Sequence, residues 1–367
     1  MARMASGVRR RNDGILEKRI TINGKRYSIY AANTKELNDK EYDLRERIKS
    51  GSYTSNRNIT LDAYYQEWIE HKKSTIKANT AIMYDSYYTQ HIRPAIGKRK
   101  IRELERREIL KLQRDLSETL APTTVNVIFK TLKAIMHDAI KDEIILHNPA
   151  DIKALKTDQK ATDTYHRALT EQEQKIFMQA LKDNYYYSFI ALMLTTGMRA
   201  GEVAALTWND IDYKSGMIHV TKTITKDSAG KFVIGTTTKT DASKRDIPIN
   251  DNIRHILKEH RVKSDILQFR TNNVFVTVYG NQIDNCTINR AIRSTLKSLD
   301  KTGVHIERFT SHAMRDTFAT RYIEQGGNMQ TLKTLLGHSS ITLTMDLYAH
   351  VLPDTKQNEM QRISIAI

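Results

Sequence analysis

Three short stretches of this 367-residue chain concentrate side chains suited to acting on phosphate. Arg199 lies in "TTGMRAGE", two residues after Gly197; His312 and Arg315 stand three apart in "SHAMRD"; "LLGHSSITLTMDLYAH" carries His338 and, ten residues on, Tyr348. A guanidinium is planar and permanently charged, so two of them can grip the non-bridging oxygens of one phosphate. Helical spacing places His312 and Arg315 on one face. Arg199, at an expected helix start behind a glycine, would sit where backbone donors already favour an anion. Such a set offsets the extra negative charge of a pentacoordinate phosphorus, which is the work of Mg²⁺ in metal-dependent enzymes. Each residue taken singly has a plainer reading: a surface arginine, a structural histidine, and for Tyr348 a core aromatic on an apolar helical face.

Other chemistries lack their residues. The chain has no GxxxxGK[ST] loop for a nucleotide motor, no G-x-S-x-G elbow and no HExxH pair, and "HILKEH", from His255 to His260, is one residue too long for an inverted zinc motif. The single cysteine, Cys286, can form neither an intramolecular disulfide nor a thiolate zinc cluster, which fits a reducing cytosol. The expectation is a protein with no metal and no cofactor.

Charge names the partner class. Lys and Arg number 58 against 42 Asp and Glu, a formal net charge of +16, and nucleic acid is the commonest polyanion such a surface serves. A membrane surface is disfavoured: no apolar run approaches bilayer-spanning length, no signal-peptide core follows Met1, and neither end carries a lipidation signature.

The elements that must position these residues fall into three segments. The first fifty residues hold thirteen Lys or Arg and seven Asp or Glu, +6 of the +16. Here "ILEKRITI" and "KRYSIYAA" alternate around Asn23-Gly24, predicting a hairpin, and a helix should start near Asn33 or Thr34 and stop at Gly51. From Ile59 to about Lys156 apolar residues recur at three- and four-residue intervals, interrupted at Pro94, Gly97, Pro122 and Pro149, which predicts a helical bundle with cations on its exposed stripes. "KTDQKATDTYHRA" is polar and aperiodic, a linker. In the third segment Thr170 and Glu173 have capping-box spacing, and helices run through "SFIALMLTTG" and "RAGEVAALTW". Strands follow in "GMIHVTKTIT" and "KFVIGTTTK" around the turn "KDSAG", with "SKRDIPI" as a third. Ser311 should cap the helix "HAMRDTFATRYIEQ", ending at Gly326-Gly327, and Gly337 should close "MQTLKTLL".

Taken together, "TTGMRAGEVAAL", "HAMRDTFAT" and "LLGHSSITLTMDLYAH" resemble the signature boxes of tyrosine recombinases, the phage-integrase family. The order also fits: Arg199, a lysine on a β-hairpin, His312 and Arg315, His338 twenty-three residues later, then Tyr348. Lys239 in "TTTKTDASKRDIPI" matches the place of the lysine best, with Lys244 as runner-up. The resemblance implies a multidomain fold. Residues 1–55 would be a small α+β arm-binding domain (a β-hairpin or three-stranded sheet plus a helix), similar to that of conjugative-transposon integrases. Residues 56–156 would be an all-α core-binding bundle and 157–166 a linker. Residues 167–367 would be a mainly α catalytic domain with a small antiparallel sheet and a C-terminal tail.

It also implies roles. Tyr348 would attack the scissile phosphorus to give a 3′-phosphotyrosine. A phenol of pKa near 10 needs help at neutral pH, with His312 as proton acceptor or hydrogen-bond partner. His338 would brace a phosphate oxygen and Lys239 would protonate the departing 5′-oxygen. One phosphoester replaces another, so no nucleotide is consumed. The implied partners are double-stranded DNA at crossover and arm sites, further copies in a tetramer on DNA, and an excisionase or DNA-bending protein, within the cytoplasm of a bacterium. Arg9, Arg10, Arg11, Lys18, Arg19, Lys25 and Arg26 are the candidate DNA contacts of the first segment, Lys130 and Lys133 of the second, Lys244 and Arg245 of the third. Two rival readings are a type IB topoisomerase, which relaxes supercoils without recombining, and a DNA-binding architectural protein without chemistry.

Overall fold

The computed structural model describes residues 8–11, 14–22, 25–49, 59–157, 167–227, 230–235, 244–267 and 271–337. The chain divides into two compact units, Met1–Thr157 and Asp158–Ile367. Among the described residues no helix is long and apolar enough to cross a membrane.

In the first unit, β1 (Val8–Arg10), β2 (Leu16–Ile22) and β3 (Lys25–Ala31) form an antiparallel sheet in that order. Ile22 pairs with Lys25 and Ile20 with Tyr27, the register of a two-residue connection. Alternation then sets the faces. Leu16, Ile20, Tyr27 and Ile29 turn inward with Leu37 of α1 (Thr34–Lys49) to form a small core. Asn33 begins that helix as its spacing predicts, its Oδ1 accepting from the Glu36 N–H at 2.9 Å while Glu36 Oε2 accepts from the Ala32 N–H.

The helical segment follows with α2 (Leu61–Lys73), α3 (Ala78–Tyr87), α4 (Arg93–Ile96), α5 (Arg106–Ser117) and α6 (Pro122–Lys141). Tyr65, Trp68, Tyr88, Ile128, Leu132 and Met136 are among its buried core. Pro94 leaves its mark just upstream. Its missing N–H and its ring disrupt an α ladder, and Tyr88–Ile92 widens into a π turn.

The second unit is mainly helical. Thr170 and Glu173 make the expected reciprocal cap at the start of α7 (Glu171–Ala180), followed by α8 (Tyr187–Thr196) and the short α9 (Ala200–Ala204). Its strands depart from the expected three-stranded run. "GMIHVTKTIT" breaks into β5 (Met217–Val220) and β6 (Thr223–Lys226), which enter different sheets: β4 (Ile211–Asp212), β5 and β8 (Arg245–Pro248) in one, β6 with β7 (Phe232–Gly235) in the other. At the break stands Lys222, whose ammonium meets Asp210 at 2.7 Å and Thr207 at 3.0 Å.

Helices α10 (Asp251–Ile266), α11 (Asn285–Lys301), α12 (His312–Glu324) and α13 (Met329–Leu336) follow among the described residues. Gly337 closes α13 at φ +65° as expected. Ser311 does not cap α12 with its side chain. Its hydroxyl donates to Asn285 Oδ1 at 2.6 Å and its N–H to Asn289 Oδ1 at 2.8 Å, tying the helix start to α11 instead.

Candidate active site

Gly197 is the pivot of the site. It ends α8 in the left-handed conformation, φ +66°, and a Cβ there would stand 2.5 Å from Phe318 Cδ1 and 2.8 Å from Leu336 Cδ2. Only glycine lets the α8–α9 turn press this closely onto α12 and α13. The turn then presents Arg199 at the head of α9, with its side chain 42% exposed.

The helix start was expected to offer free backbone donors to an anion. Instead the Arg199 N–H is taken by Glu202 Oε2 at 2.9 Å, and Arg199 Nη1 donates to Glu202 Oε1 at 2.8 Å. The backbone N–H of Arg199 is therefore already satisfied, and its guanidinium stays partly exposed.

Arg315 comes from α12 and is among the largest fully buried side chains, 2% exposed. Its Nη1 donates to the Gly197 carbonyl at 2.8 Å and its Nη2 to the Leu336 carbonyl at 2.6 Å. One arginine thus binds the turn before Arg199 to the end of α13. Burial, and then the nearby charge of Arg199, push its pKa down to about 9. It remains a cation at neutral pH, and a desolvated one gains most from an incoming anion.

His312, one turn before Arg315, is exposed, and its Nδ1 lies 3.4 Å from Asp316 Oδ1. That carboxylate pushes the imidazole pKa up, with desolvation opposing. Glu202 is buried, which alone would push its carboxyl up; hydrogen bonds and charge from Arg245, with the charge of Arg199, hold it below the usual range.

Arg199, His312 and Arg315 are therefore brought together. Lys239, His338 and Tyr348 lie outside the described residues. Three side chains outside the expected catalytic set join the cluster among the described residues: Glu202, Asp316 and Arg245. The first two had a signal, since Glu202 follows Arg199 by three and Asp316 follows His312 by four, distances that place an acid beside a base on a helix.

Arg245 corrects an expectation. Predicted as a DNA contact, it is buried, its side chain 2% exposed, and paired with Glu202 at 2.8 Å. A strand residue alternating inward beside a buried carboxylate is held there by the cost of leaving that charge unpaired. Lys244 next to it is exposed.

The other expected DNA contacts divide by face. Cross-strand register sets Arg9, Arg19 and Arg26 on the sheet face opposite α1, and all three are exposed. Arg10, also exposed, and Lys18 alternate to the α1 face, where Lys18 pairs with Glu41 at 2.5 Å. Arg11 turns toward α6, with Nη1 3.2 Å from His137 Nε2 and its guanidinium 5.8 Å from the centre of the Tyr30 ring. Lys25 opens β3, but its side chain lies outside the described ones. Lys130 and Lys133 are exposed on α6, and Lys133 pairs with Asp151.

Residues 167–354 match the phage integrase family model. The chain belongs to the phage integrase family. Within this tyrosine recombinase, residues 60–117 match a second model, the phage integrase N-terminal SAM-like domain. The chain is 27% identical to the ICEBs1 integrase of Bacillus subtilis over 340 residues, 90% of this chain and 89% of that one. Its fold is similar to that of a Tn1549 transposon integrase solved in complex with a circular-intermediate DNA: TM-score 0.71, 24% identity, 83% of this chain and 100% of that chain. It is similar also to a lambda integrase tetramer bound to a Holliday junction: TM-score 0.62, 19% identity, 93% of this chain and 94% of that chain.

Proposed function

We propose that this recombinase cuts and rejoins double-stranded DNA at specific sites to integrate and excise a mobile element, with Tyr348 as nucleophile. The observation that carries the reading is the convergence of Arg199 and Arg315 on one turn, where Arg315 holds the carbonyl of Gly197. Two fixed guanidiniums beside a histidine with its own carboxylate suit a scissile phosphate with no metal in the step. His312 takes the phenolic proton, Lys239 (or Lys244) supplies one to the departing 5′-oxygen, and His338 braces a non-bridging oxygen. Bond energy is kept in the 3′-phosphotyrosine, so rejoining needs no nucleotide.

In this reading residues 1–55 bind arm sites, 56–156 grip the crossover duplex, 157–166 link, and 167–367 carry the chemistry. Four copies on two sites exchange strands in pairs, as the solved lambda integrase tetramer on a Holliday junction suggests. The test is covalent trapping on nicked duplexes cut from the DNA flanking the gene. A DNA-dependent band that survives SDS and disappears in Tyr348→Phe supports the reading. Salt-sensitive binding without any such band would reduce the chain to a binding protein, and relaxation of plasmids that lack a site would favour a topoisomerase.

A further inference from the structure

We propose that Arg245 is a positioning residue for strand cleavage, acting through Glu202 on Arg199 and through the Leu335 carbonyl on the end of α13; this rests on the recombinase reading above. Its contacts form a complete fork. Arg245 Nη2 donates to Glu202 Oε2 at 2.8 Å, Nη1 to Glu202 Oε1 at 3.2 Å, and Nε to the Leu335 carbonyl at 2.5 Å. Each Glu202 oxygen therefore accepts one bond from Arg245 and one from Arg199, through the Arg199 Nη1 and backbone N–H.

The charge balance gives this geometry a consequence. Two guanidiniums share one buried carboxylate, so the pair fixed inside consumes most of its charge and Arg199 keeps a surplus for the phosphate. Without Arg245 the carboxylate would have Arg199 as its ionic partner, and would draw that fork inward from its exposed position.

The second arm of the fork reaches the last turn of α13. Its final carbonyls have no partner within the helix. Arg245 takes the Leu335 carbonyl and Arg315 the Leu336 carbonyl, so a non-reacting and a phosphate-binding arginine hold adjacent peptides just before Gly337 and His338. Arg245 also begins β8 directly after residues 236–244, which carry both candidate lysines. One buried side chain thus ties Glu202, the partner of Arg199, to the last turn of α13.

The experiment compares Arg245→Gln and Arg245→Lys with wild type in single-turnover cleavage of a nicked duplex, with DNA affinity measured in parallel. Arg245→Gln is expected to slow covalent attachment by about a hundredfold, the scale of losing one oriented transition-state donor, with affinity changed by less than about threefold. Arg245→Lys, which keeps the charge and loses the fork, should fall between. In an Arg199→Lys background the further loss from Arg245→Gln should shrink to less than about tenfold, because the residue it positions is already impaired. Should Arg245→Gln fail to fold, Arg245→Met with Glu202→Gln removes both buried charges together, and it too should cleave slowly.

Cleavage within about threefold of wild type by a folded Arg245 variant, or by the paired variant, would overturn the proposal. So would full additivity with Arg199→Lys, which is the signature of a role in general packing. A wild-type protein that forms no adduct would overturn the recombinase reading itself, and an adduct unaffected by Arg245 would overturn this inference alone.

Discussion

His312 Nδ1 and Asp316 Oδ1 stand 3.4 Å apart, one turn along the helix that also carries Arg315. The carboxylate faces the ring on its Nδ1 side. It also raises the pKa of His312 above its usual value. The sign for stability follows: a raised folded pKa stabilises fully below the unfolded value near 6.5, and that contribution is lost as pH rises through the folded pKa. In the proposed mechanism the neutral ring accepts the phenolic proton, so cleavage should rise with pH through the same raised value. Asp316→Asn should move that limb to lower pH while leaving DNA affinity unchanged. Cleavage rates of both proteins between about pH 5 and 9 would check this; superimposable limbs would remove Asp316 from the mechanism.

Gly197→Ala tests the pivot. The new methyl meets the Phe318 ring and the Leu336 side chain at contact distances no packed structure accepts, and φ +66° strains any other residue. The expected cost is about 2–3 kcal/mol from strain and overpacking. Thermal unfolding should report it, and cleavage should fall further than stability, since Arg199 and Arg315 both hang on this turn. An alanine variant with unchanged melting temperature would mean that α12 and α13 are free to move away.

How much of this was legible beforehand varied with the kind of signal. The hairpin, the bundle and the caps at Thr170 and Gly337 rest on local chemistry, and they appear where period and turn residues place them. The break between β5 and β6 was hidden: it falls at Lys222, whose partners Asp210 and Thr207 lie outside the strand pattern. In the site, Arg199, His312 and Arg315 stood out by type and spacing, and the fold brings these three together. Arg245 misled for a physical reason: a basic residue next to another in a polar stretch reads as surface, and only the fold brings a buried carboxylate to it.

Arg199→Lys separates charge from shape. Lysine can still neutralise a phosphate, but it offers no planar pair of donors and cannot satisfy Glu202 and a phosphate from opposite edges. Single-turnover cleavage should drop by about a hundredfold or more, with duplex affinity nearly preserved. An unaltered rate would take Arg199 out of the phosphate clamp.

Arg9, Arg19 and Arg26 share the sheet face opposite α1, although Arg19 also pairs with Glu17 at 2.7 Å. If that face tracks a DNA backbone at arm sites, replacing all three by Gln should weaken arm binding and flatten its salt dependence. Each lost phosphate contact lowers the slope of log K against log salt by about 0.9, so the triple variant should lose up to about three units. Crossover-site cleavage should stay at the wild-type rate, because none of the three lies in residues 56–156 or 167–367, which the proposed function gives to the crossover duplex and the chemistry. Binding titrations at several salt concentrations would measure the slope. A triple variant that keeps the full slope on every duplex tested would show that DNA contact by this module, if any, runs through another face, and Arg10 on the α1 side would be the next residue to change.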